Sequence, residues 1–399
     1  MRGIVLLAAL AAPCAAQQPV APRRPPVIVV AFDGFARRLL DEDSVPTFHM
    51  LARTGVLGDA MIPSYPTVTF PNFYTLATGL YPDHTGIVNN TFYDAPSGVT
   101  FSMSSPAAKE GKWWGGEPIW ITAGKQGLKT ASMFWVGSEA PVQGQHPTYW
   151  MDFDSRIQFE SRVVQVLSWL AMPDSMRPSL IMCYLEEPDH TEHEYGPESP
   201  QAARMVMRAD SVLAMLVDGL RARGQLDSAN LVIVADHGMT AVSADRLVYL
   251  DDYVDSASVR VTSTGPLLLI ESKTGDNAAL LAKLRTAPHL TVWPKDSVPA
   301  RLHYGTNPRV AAIVGALDDG WLIVWRHARA AKLGGSHGYD NADPKMEALF
   351  IAHGPAFVSG SRVGRFPNVD VYSLLAELLG IVPARTDGEL APFLPVLKR

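Results

Sequence analysis

The stretch Val27-Ile28-Val29-Val30-Ala31-Phe32 decides the fold, and it runs directly into Asp33-Gly34. A continuous apolar, β-branched run of this kind is typical of a strand that is buried on both faces of a parallel sheet. Three later apolar runs repeat the pattern and end in acidic or histidine residues, at 180–189, 231–238 and 348–355. The sequence therefore predicts at least four strands of one sheet.

Helical segments separate these apolar runs. We predict helices over residues 46–53, 161–171, 201–223 and 369–379. Alternating strand and helix favours an α/β fold in which helices flank a central, mostly parallel sheet. In such sheets ligands bind beyond the carboxyl ends of the strands. Three of the predicted strand ends carry Asp or Asp-His, so we expect a functional site at that edge of the sheet.

The N-terminus and one internal region differ from this pattern. Residues 1–16 have a short basic start, an apolar run and small residues at the end, which is typical of an export signal. We expect its removal and a periplasmic or secreted protein, with an uncleaved N-terminal anchor as the alternative. Residues 17–26 are rich in Pro, Ala and Gln, which predicts a linker to the main domain, residues 27–399. Short β-rich pieces and many turn residues at 247–325, with one helix at 277–284, predict an inserted subdomain.

Composition limits the classes of partner. The chain has 399 residues, of which 47% are hydrophobic, so it can bury a large core. Its formal net charge is -6 and it has no long basic run, so we expect no stable complex with nucleic acid. No apolar stretch after the export signal is long enough for a transmembrane helix. If the signal is removed, Cys14 is lost with it, and Cys183 alone cannot form an intramolecular disulfide.

Acidic and histidine residues lie at or near the predicted strand ends. Zinc is held by imidazole nitrogen and carboxylate oxygen in roughly tetrahedral sites, so two zinc sites need about six such protein ligands. Asp189 and His193 are four residues apart, which lets one turn of helix aim both at one ion. Taken singly, each residue is more often a turn former, a helix cap or a structural histidine. The set that predicts a metal site is Asp33, Asp189, His193, Asp236, His237 and His337.

The segment at residues 63–74 supplies candidate nucleophiles. Pro71 is well placed as the first residue of a helix, which puts Thr69 just before the helix N-terminus. A hydroxyl there faces free backbone N–H groups and the positive end of the helix dipole, both of which favour a phosphate. Capping the helix is, however, the commonest role of a Thr at such a position. Thr67 and Ser64 are rival nucleophiles that the local sequence leaves open.

Several motifs together resemble one enzyme family, the nucleotide pyrophosphatase/phosphodiesterase family of the alkaline phosphatase superfamily. The resemblance covers the chain from Val27 to near the C-terminus. Its most specific parts are Thr-Phe-Pro-Asn at 69–72 and Trp-Trp-Gly-Gly-Glu-Pro at 113–118, whereas Asp-His-Gly-Met at 236–239 marks only the superfamily. The segments that carry it are AFDGF (31–35), PSYPTVTFPNFY (63–74), GLYPDHTGIVNN (79–90), WWGGEPIW (113–120), EPDHTEHEYGPES (187–199), DHGM (236–239) and GSHGYD (335–340).

The resemblance implies an alkaline phosphatase-like fold and a hydrolase of phosphodiester or phosphoanhydride bonds, with a nucleotide as the small-molecule substrate. It implies that Thr69 is the nucleophile, that a phospho-threonine intermediate forms, and that Asn90 stabilises a phosphoryl oxygen. It also implies two Zn2+ ions as cofactors. One would be held by Asp189, His193 and His337, and the other by Asp33, Asp236, His237 and Thr69.

Aromatic side chains are the candidates for substrate recognition. Phe70 directly follows Thr69 and is placed to stack on a nucleobase or an aryl group. The resemblance implies Phe153 as the opposite wall, and an ordinary core aromatic is the alternative. The family often has Gly where this chain has Glu192, and we expect that glutamate to point to solvent. We expect His190 to lie outside the ligand set, near the metal site or exposed.

The sequence is also compatible with other functions. Within the class, the substrate could be a lipid- or choline-phosphodiester instead of a nucleotide. On the same fold, a phosphomonoesterase is a weaker alternative, and a sulfatase is weaker still because no Cys/Ser-x-Pro-x-Arg segment surrounds Thr69. A non-catalytic zinc- or phosphate-binding protein is the alternative from another class. The sequence predicts no particular protein partner.

Overall fold

The computed structural model describes residues 24–42, 44–327 and 333–398. The export signal predicted at 1–16 and most of the linker predicted at 17–26 lie outside these residues. Helices in the described part are α1 Pro46–Thr54, α2 Thr69–Thr78, α3 Pro82–Thr85, α4 Ile119–Lys125, α5 Phe159–Leu170, α6 Asp189–Tyr195, α7 Pro200–Ala222, α8 Asn277–Leu284 and α9 Asp370–Leu379.

Most strands of the described part belong to one large sheet or to a smaller four-stranded sheet. The strands are β1 Val27–Phe32, β2 Val56–Gly58, β3 Met61–Ile62, β4 Thr91–Asp94, β5 Val99–Ser102, β6 Thr130–Met133, β7 Leu180–Leu185, β8 Asn230–Val234, β9 Thr240–Ala241, β10 Leu247–Tyr249, β11 Val259–Ser263, β12 Leu267–Ser272, β13 Leu290–Pro294, β14 Ile313–Leu317, β15 Leu322–Val324, β16 Gly335–Ser336, β17 Phe350–His353, β18 Ser361–Val363 and β19 Phe366–Pro367.

The large sheet has seven strands in the order β18-β2-β17-β8-β1-β7-β6. Strand β1 lies near the middle and pairs in parallel with β7 and β8, with Val27 opposite both Leu180 and Asn230. Strand β6 continues the parallel set beyond β7. The α/β class with a mostly parallel central sheet is therefore confirmed, and the carboxyl ends of β1, β6, β7 and β8 meet at one edge.

The fourth predicted run forms β17, which is antiparallel to both of its neighbours, β8 and β2. Its carboxyl end, at His353, therefore points to the opposite edge of the sheet. The apolar composition of a strand fixes its burial but carries no information on its direction.

Burial explains why β1 is so apolar. All six of its residues are at most 4% exposed, as a strand covered on both faces requires. Val30 and Phe32 line one small apolar cavity together with Val163 of α5 and Val212 of α7, and helix α9 also contacts β1. The predicted helices at 46–53, 161–171, 201–223 and 369–379 correspond to α1, α5, α7 and α9 within two residues at each end.

A separate antiparallel sheet in the order β11-β12-β14-β13 lies within the region predicted as an inserted subdomain. Helix α8, which forms at residues 277–284 as expected, packs on β12 and β13. Leu268 and Ile270 of β12 belong to a second apolar core, apart from the core of the large sheet. The boundaries 247–325 stay a prediction. No helix in the described residues combines the length and the apolarity that crossing a membrane requires.

Candidate active site

Six predicted metal ligands converge at the carboxyl edge of the parallel strands. Asp33 directly follows β1, and Asp236 and His237 directly follow β8. Helix α6 begins at Asp189 after β7 and carries His193 one turn later, while His337 directly follows the short strand β16. The parallel strands β1, β7 and β8 bring five of the six side chains to one edge. His337 joins them from β16, which lies outside the large sheet.

The first group is Asp33, Asp236 and His237, whose ligand atoms lie close enough to hold one ion. His237 Nε2 is 2.9 Å from Asp236 Oδ2 and 3.5 Å from Asp33 Oδ1. All three residues are buried. Burial and the neighbouring Asp236 charge raise the pKa of Asp33 well above its ordinary value. Such a cluster of buried negative charge favours a bound cation.

The second group is Asp189, His193 and His337. Asp189 Oδ1 lies 3.4 Å from the Nε2 atoms of both histidines, and those two nitrogens are 3.1 Å apart. The His337 ring stacks on the His237 ring with centroids 3.6 Å apart, so the two groups adjoin. Asp189, His237 and His337 also lie within ion-binding distance of one another. All six predicted ligands therefore form one continuous group of side chains, called the metal-ligand cluster below.

Each histidine is oriented by a backbone carbonyl. Since a carbonyl only accepts, Nδ1 of each ring must carry the proton, which leaves the Nε2 lone pair free to face the cluster. Metal-binding histidines show this arrangement in general. The three hydrogen bonds run from His193 Nδ1 to Gly335 O (2.8 Å), from His237 Nδ1 to Gly238 O (2.9 Å) and from His337 Nδ1 to Thr67 O (2.8 Å).

Unpaired carboxylate oxygens complete the case that the cluster fits metal ions. Asp33 Oδ1, Asp189 Oδ1 and Asp236 Oδ2 are buried and have no hydrogen-bond partner among the described residues. Buried polar atoms are normally paired, so three unpaired carboxylate oxygens facing three imidazole nitrogens fit a cation-binding site. A set of three carboxylates and three imidazoles suits zinc and related transition metals.

Gly34 permits the close approach of two of these loops. Its φ is +71°, and a Cβ at this position would lie 2.9 Å from the Asp189 Cα and Cβ atoms. The Gly34 N–H donates to Asp236 Oδ1 (3.1 Å), and the Asp189 N–H donates to the Asp33 carbonyl (3.1 Å). Only glycine satisfies both the backbone angle and the space at residue 34.

The Thr69 hydroxyl lies beside the first group, with its Oγ1 3.5 Å from His237 Nε2. Helix α2 begins at Thr69, not at Pro71 as predicted. Proline at the third helical position is tolerated because the N–H groups of the first turn have no partner within the helix. Val68 occupies the cap position and no side chain caps the helix, so Thr69 does not serve as its N-cap.

The two rival hydroxyls are engaged elsewhere. Thr67 Oγ1 donates to the Tyr339 carbonyl (2.9 Å) and accepts from the Gly338 N–H (3.0 Å). Ser64 Oγ donates to Asn368 Oδ1 (2.8 Å). Of the three candidate hydroxyls, Thr69 is the one that contacts a member of the metal-ligand cluster.

Asn90 and Phe70 are joined by a hydrogen bond. Asn90 Oδ1 accepts from the Phe70 N–H at 2.8 Å, which turns the Asn90 amide NH2 away from Phe70. The Phe70 ring is partly buried and lies 5.9 Å from the Trp114 ring. Phe153 is 45% exposed, so it is not an ordinary core aromatic, and its ring packs edge-on against Phe134.

The prediction for Glu192 is wrong. The residue is fully buried, and both of its carboxylate oxygens lack a hydrogen-bond partner in the described part of the chain. Burial raises the pKa of this carboxyl to about 8. Glu192 lies three residues after Asp189 and therefore shares the inner face of α6. His190, on the other side of the helix, is exposed and outside the ligand set.

Sequence reasoning missed Tyr184. Its hydroxyl donates to Asp33 Oδ2 at 2.6 Å, and its ring packs edge-on against Phe73 of α2. A tyrosine inside the apolar strand β7 was a usable signal, because a buried phenol usually needs a hydrogen-bond partner.

One protein family and several known proteins are similar to this chain. The family model described as type I phosphodiesterase / nucleotide pyrophosphatase matches residues 27–340. A venom phosphodiesterase from Crotalus durissus collilineatus is 39% identical over 386 residues, covering 94% of this chain and 46% of that protein. Ectonucleotide pyrophosphatase/phosphodiesterase family member 3 from Bos taurus is 36% identical over 388 residues, covering 94% of this chain and 44% of that protein. The chain thus spans about half the length of these curated relatives.

Solved structures show the same fold. Human ectonucleotide pyrophosphatase/phosphodiesterase 5 superposes with a TM-score of 0.91 at 33% identity, covering 94% of this chain and 100% of that chain. An inactive variant of the murine protein, solved in complex with AMP, gives a TM-score of 0.90 at 33% identity, with the same coverage.

Proposed function

Because the chain belongs to the type I phosphodiesterase / nucleotide pyrophosphatase family, we propose that it hydrolyses phosphodiester or phosphoanhydride bonds of nucleotides. The nucleophile in this proposal is Thr69. The observation that carries it is the position of Thr69 Oγ1, 3.5 Å from His237 Nε2 in the ligand cluster, at the N-terminus of α2.

Two zinc ions are part of the proposal. Asp189, His193 and His337 would hold one, and Asp33, Asp236 and His237 would hold the other together with Thr69. When bound, zinc lowers the pKa of a coordinated hydroxyl and offsets negative charge on the leaving oxygen. The orphaned carboxylate oxygens and the three oriented imidazoles support this assignment.

The chain's own residues define the two chemical steps. The Thr69 hydroxyl loses its proton to solvent, and Oγ1 attacks phosphorus to form the Oγ1–P bond. The bond from phosphorus to the leaving oxygen breaks, and the leaving oxygen keeps the electron pair and takes up a proton from solvent. Water then attacks the phospho-threonine, so the Oγ1–P bond breaks and the Thr69 hydroxyl is restored. The Asn90 amide NH2 donates to a non-bridging oxygen, and the N-terminal dipole of α2 stabilises the same charge.

Aromatic walls and charge favour a nucleotide diester. Phe70 and Phe153 would stack on the base from its two sides. In the described chain no ion pair joins a Lys or Arg to Asp33, Asp189 or Asp236. A monoester carries more negative charge than a diester and benefits more from such cationic contacts.

A substrate panel and one variant test the function. Thymidine 5′-(p-nitrophenyl phosphate), ATP and dinucleotides should be cleaved faster than p-nitrophenyl phosphate, lysophospholipid or glycerophosphocholine. Thr69→Ala should lose at least ~1,000-fold in kcat, since a covalent route without its nucleophile is closed. Its metal content, measured by elemental analysis, should stay near that of the wild type.

The outcomes separate the alternatives. Ser64→Ala is the matched control, because it removes a hydroxyl of the same segment that bonds to Asn368. Activity that survives in metal-loaded Thr69→Ala would exclude Thr69 as the nucleophile. Preference for a choline or lipid diester would show that the substrate is not a nucleotide. Bound zinc without activity on any ester would indicate a binding protein.

We also propose that the protein is exported, on the basis of residues 1–16. Sequencing the N-terminus of the mature protein tests this: a start at Gln17 supports cleavage, and a start at Met1 in cytoplasmic protein contradicts export.

A further inference from the structure

A fully buried arginine, Arg162, lies on α5 near the candidate site. Its Nε donates to the Ile157 carbonyl (3.0 Å), and its Nη1 donates to the Tyr184 carbonyl (3.0 Å). Its Nη2 donates to Glu186 Oε1 (2.9 Å), and Nη1 pairs with the other oxygen of the same carboxylate. Arginine is almost never fully buried unless it is paired in this way.

The same guanidinium supports three aromatic rings. Its central carbon lies 5.0 Å from the ring centroids of Phe134 and Phe159 and 5.9 Å from that of Phe153. Phe153 is 45% exposed while Arg162 is fully buried, so the cation lies on the protein side of that ring. A desolvated cation over an aromatic face attracts the ring.

Phe134 reinforces this support. It directly follows β6, at the same sheet edge as the metal-ligand cluster, and its ring meets Phe153 edge-on with centroids 5.3 Å apart. Its φ is +70°, a left-handed backbone conformation that is unfavourable for a phenylalanine. Outliers of this kind persist where the surroundings fix them, and they concentrate at functional sites.

Arg162 is also tied to the metal side of the site. The Tyr184 carbonyl accepts a hydrogen bond from Arg162 Nη1, and the Tyr184 hydroxyl donates to Asp33 Oδ2. Glu186 follows directly after β7 and precedes the ligand Asp189 by three residues. One planar group thus fixes the exposed Phe153 ring relative to both Asp33 and the start of α6.

We propose that Arg162 is a specificity-determining positioning residue, which holds Phe153 as a wall of a nucleobase subsite at a set distance from the metal-ligand cluster. This inference rests on the proposed nucleotide hydrolysis. A buried ion pair often adds no stability over apolar residues of the same volume. The test of Arg162 therefore measures recognition of the nucleobase.

Two substrates with the same leaving group give that readout. Thymidine 5′-(p-nitrophenyl phosphate) carries a base, whereas methyl p-nitrophenyl phosphate does not. In Arg162→Met the ratio of their kcat/KM values should fall roughly 3- to 10-fold, the range of one aromatic contact, mainly through a higher KM for the thymidine ester. Arg162→Lys should behave like Arg162→Met, because one ammonium cannot replace a planar fork that holds three acceptors.

Arg208 offers the matched control. Its guanidinium lies 5.2 Å from the Phe159 ring and pairs with Glu160, but no contact joins it to Phe134, Phe153 or Tyr184 in the described structure. Arg208→Met should leave the ratio unchanged. The ratio in Arg162→Met/Phe153→Ala should equal that in Phe153→Ala, because the arginine acts through that ring.

AMP and inorganic phosphate binding, measured by calorimetry on the zinc-loaded protein, extend the test. Arg162→Met should weaken AMP binding by the same 3- to 10-fold range and leave phosphate binding unchanged. If the wild type cleaves neither ester, the proposed hydrolysis fails, while AMP binding still tests the subsite. If Arg162→Met does not fold, Glu186→Gln is the second variant, because it removes the charge that pairs with the guanidinium. It should lower the ratio of the two kcat/KM values as well.

Three results would overturn the inference: an unchanged ratio with unchanged AMP binding, equal losses for both esters, or a wild type that does not bind AMP.

Discussion

Replacing Tyr184 by phenylalanine removes one hydroxyl from the edge of the metal-ligand cluster and leaves the ring in place. That hydroxyl donates to Asp33 Oδ2 at 2.6 Å in a buried environment. The other oxygen of Asp33, Oδ1, is unpaired and faces His237. Tyr184 therefore orients a proposed zinc ligand, and its loss should weaken zinc binding.

The magnitude follows from the hydrogen bond. A bond to a charged group contributes about 1.5–3 kcal/mol, which corresponds to roughly 10- to 150-fold in an equilibrium constant. Partners of metal ligands typically change affinity by about 10- to 100-fold, and we expect that range. The hydrogen bond also lowers the pKa of Asp33, which burial and the Asp236 charge raise. Without it the proton competes with zinc at higher pH, so the loss in affinity should grow as pH falls.

The assay is zinc competition against a chelator of known affinity, at several pH values. Tyr74→Phe is the matched control, because the Tyr74 hydroxyl is buried and has no hydrogen-bond partner among the described residues. It should keep the zinc affinity of the wild type and its stability, or gain slightly. Zinc binding by Tyr184→Phe within threefold of the wild type at every pH would refute the reasoning.

Three further predictions concern the substrate, the metal and pH. Phe70→Ala should raise KM for nucleotide substrates about 3- to 10-fold with little change in kcat, and unchanged steady-state kinetics on nucleotide and aryl diesters would contradict stacking. Removing metal with a chelator should lower Tm, and zinc at about 1,000 times its Kd should restore about 4 kcal/mol of unfolding free energy. Burial raises the pKa of Asp370 to about 6, so the folded state binds a proton that the unfolded state releases at lower pH. The wild type should therefore lose stability as pH rises from about 4 to 6, and urea titrations of Asp370→Asn should show no such loss from this group.

The parallel core could be predicted from the sequence because its signal is local. Strand β1 has the bounds of the apolar run Val27–Phe32, and β7 has those of the run Leu180–Leu185. Acidic residues directly after such strands must lie at one sheet edge, so the meeting of Asp33 and Asp236 followed from topology alone. His337 was also a candidate ligand, but no local spacing ties it to that edge, and its assignment to one ion came from the family resemblance.

The features that could not be predicted from the sequence depend on contacts between distant residues. The direction of β17 and the burial of Glu192 are set by packing partners that the local sequence does not reveal. Tyr184 and Arg162 were overlooked for the same reason. The hydroxyl of Tyr184 reaches Asp33, 151 positions away, and Arg162 bonds to Glu186, 24 positions away.

Gly34 lies where the loop after β1, which carries Asp33, meets the start of α6, which carries Asp189. Gly34 has no side chain to collide with Asp189, and the Asp189 N–H donates to the Asp33 carbonyl, so the loop after β1 packs directly against the start of α6. A redesigned protein that keeps only one of the two proposed ligand groups would therefore need changes in both the loop after β1 and the start of α6. In the proposed function, the distance between the two zinc sites would therefore be set mainly by these backbone contacts. Substituting a single proposed ligand should then change the affinity for metal more than it changes this distance.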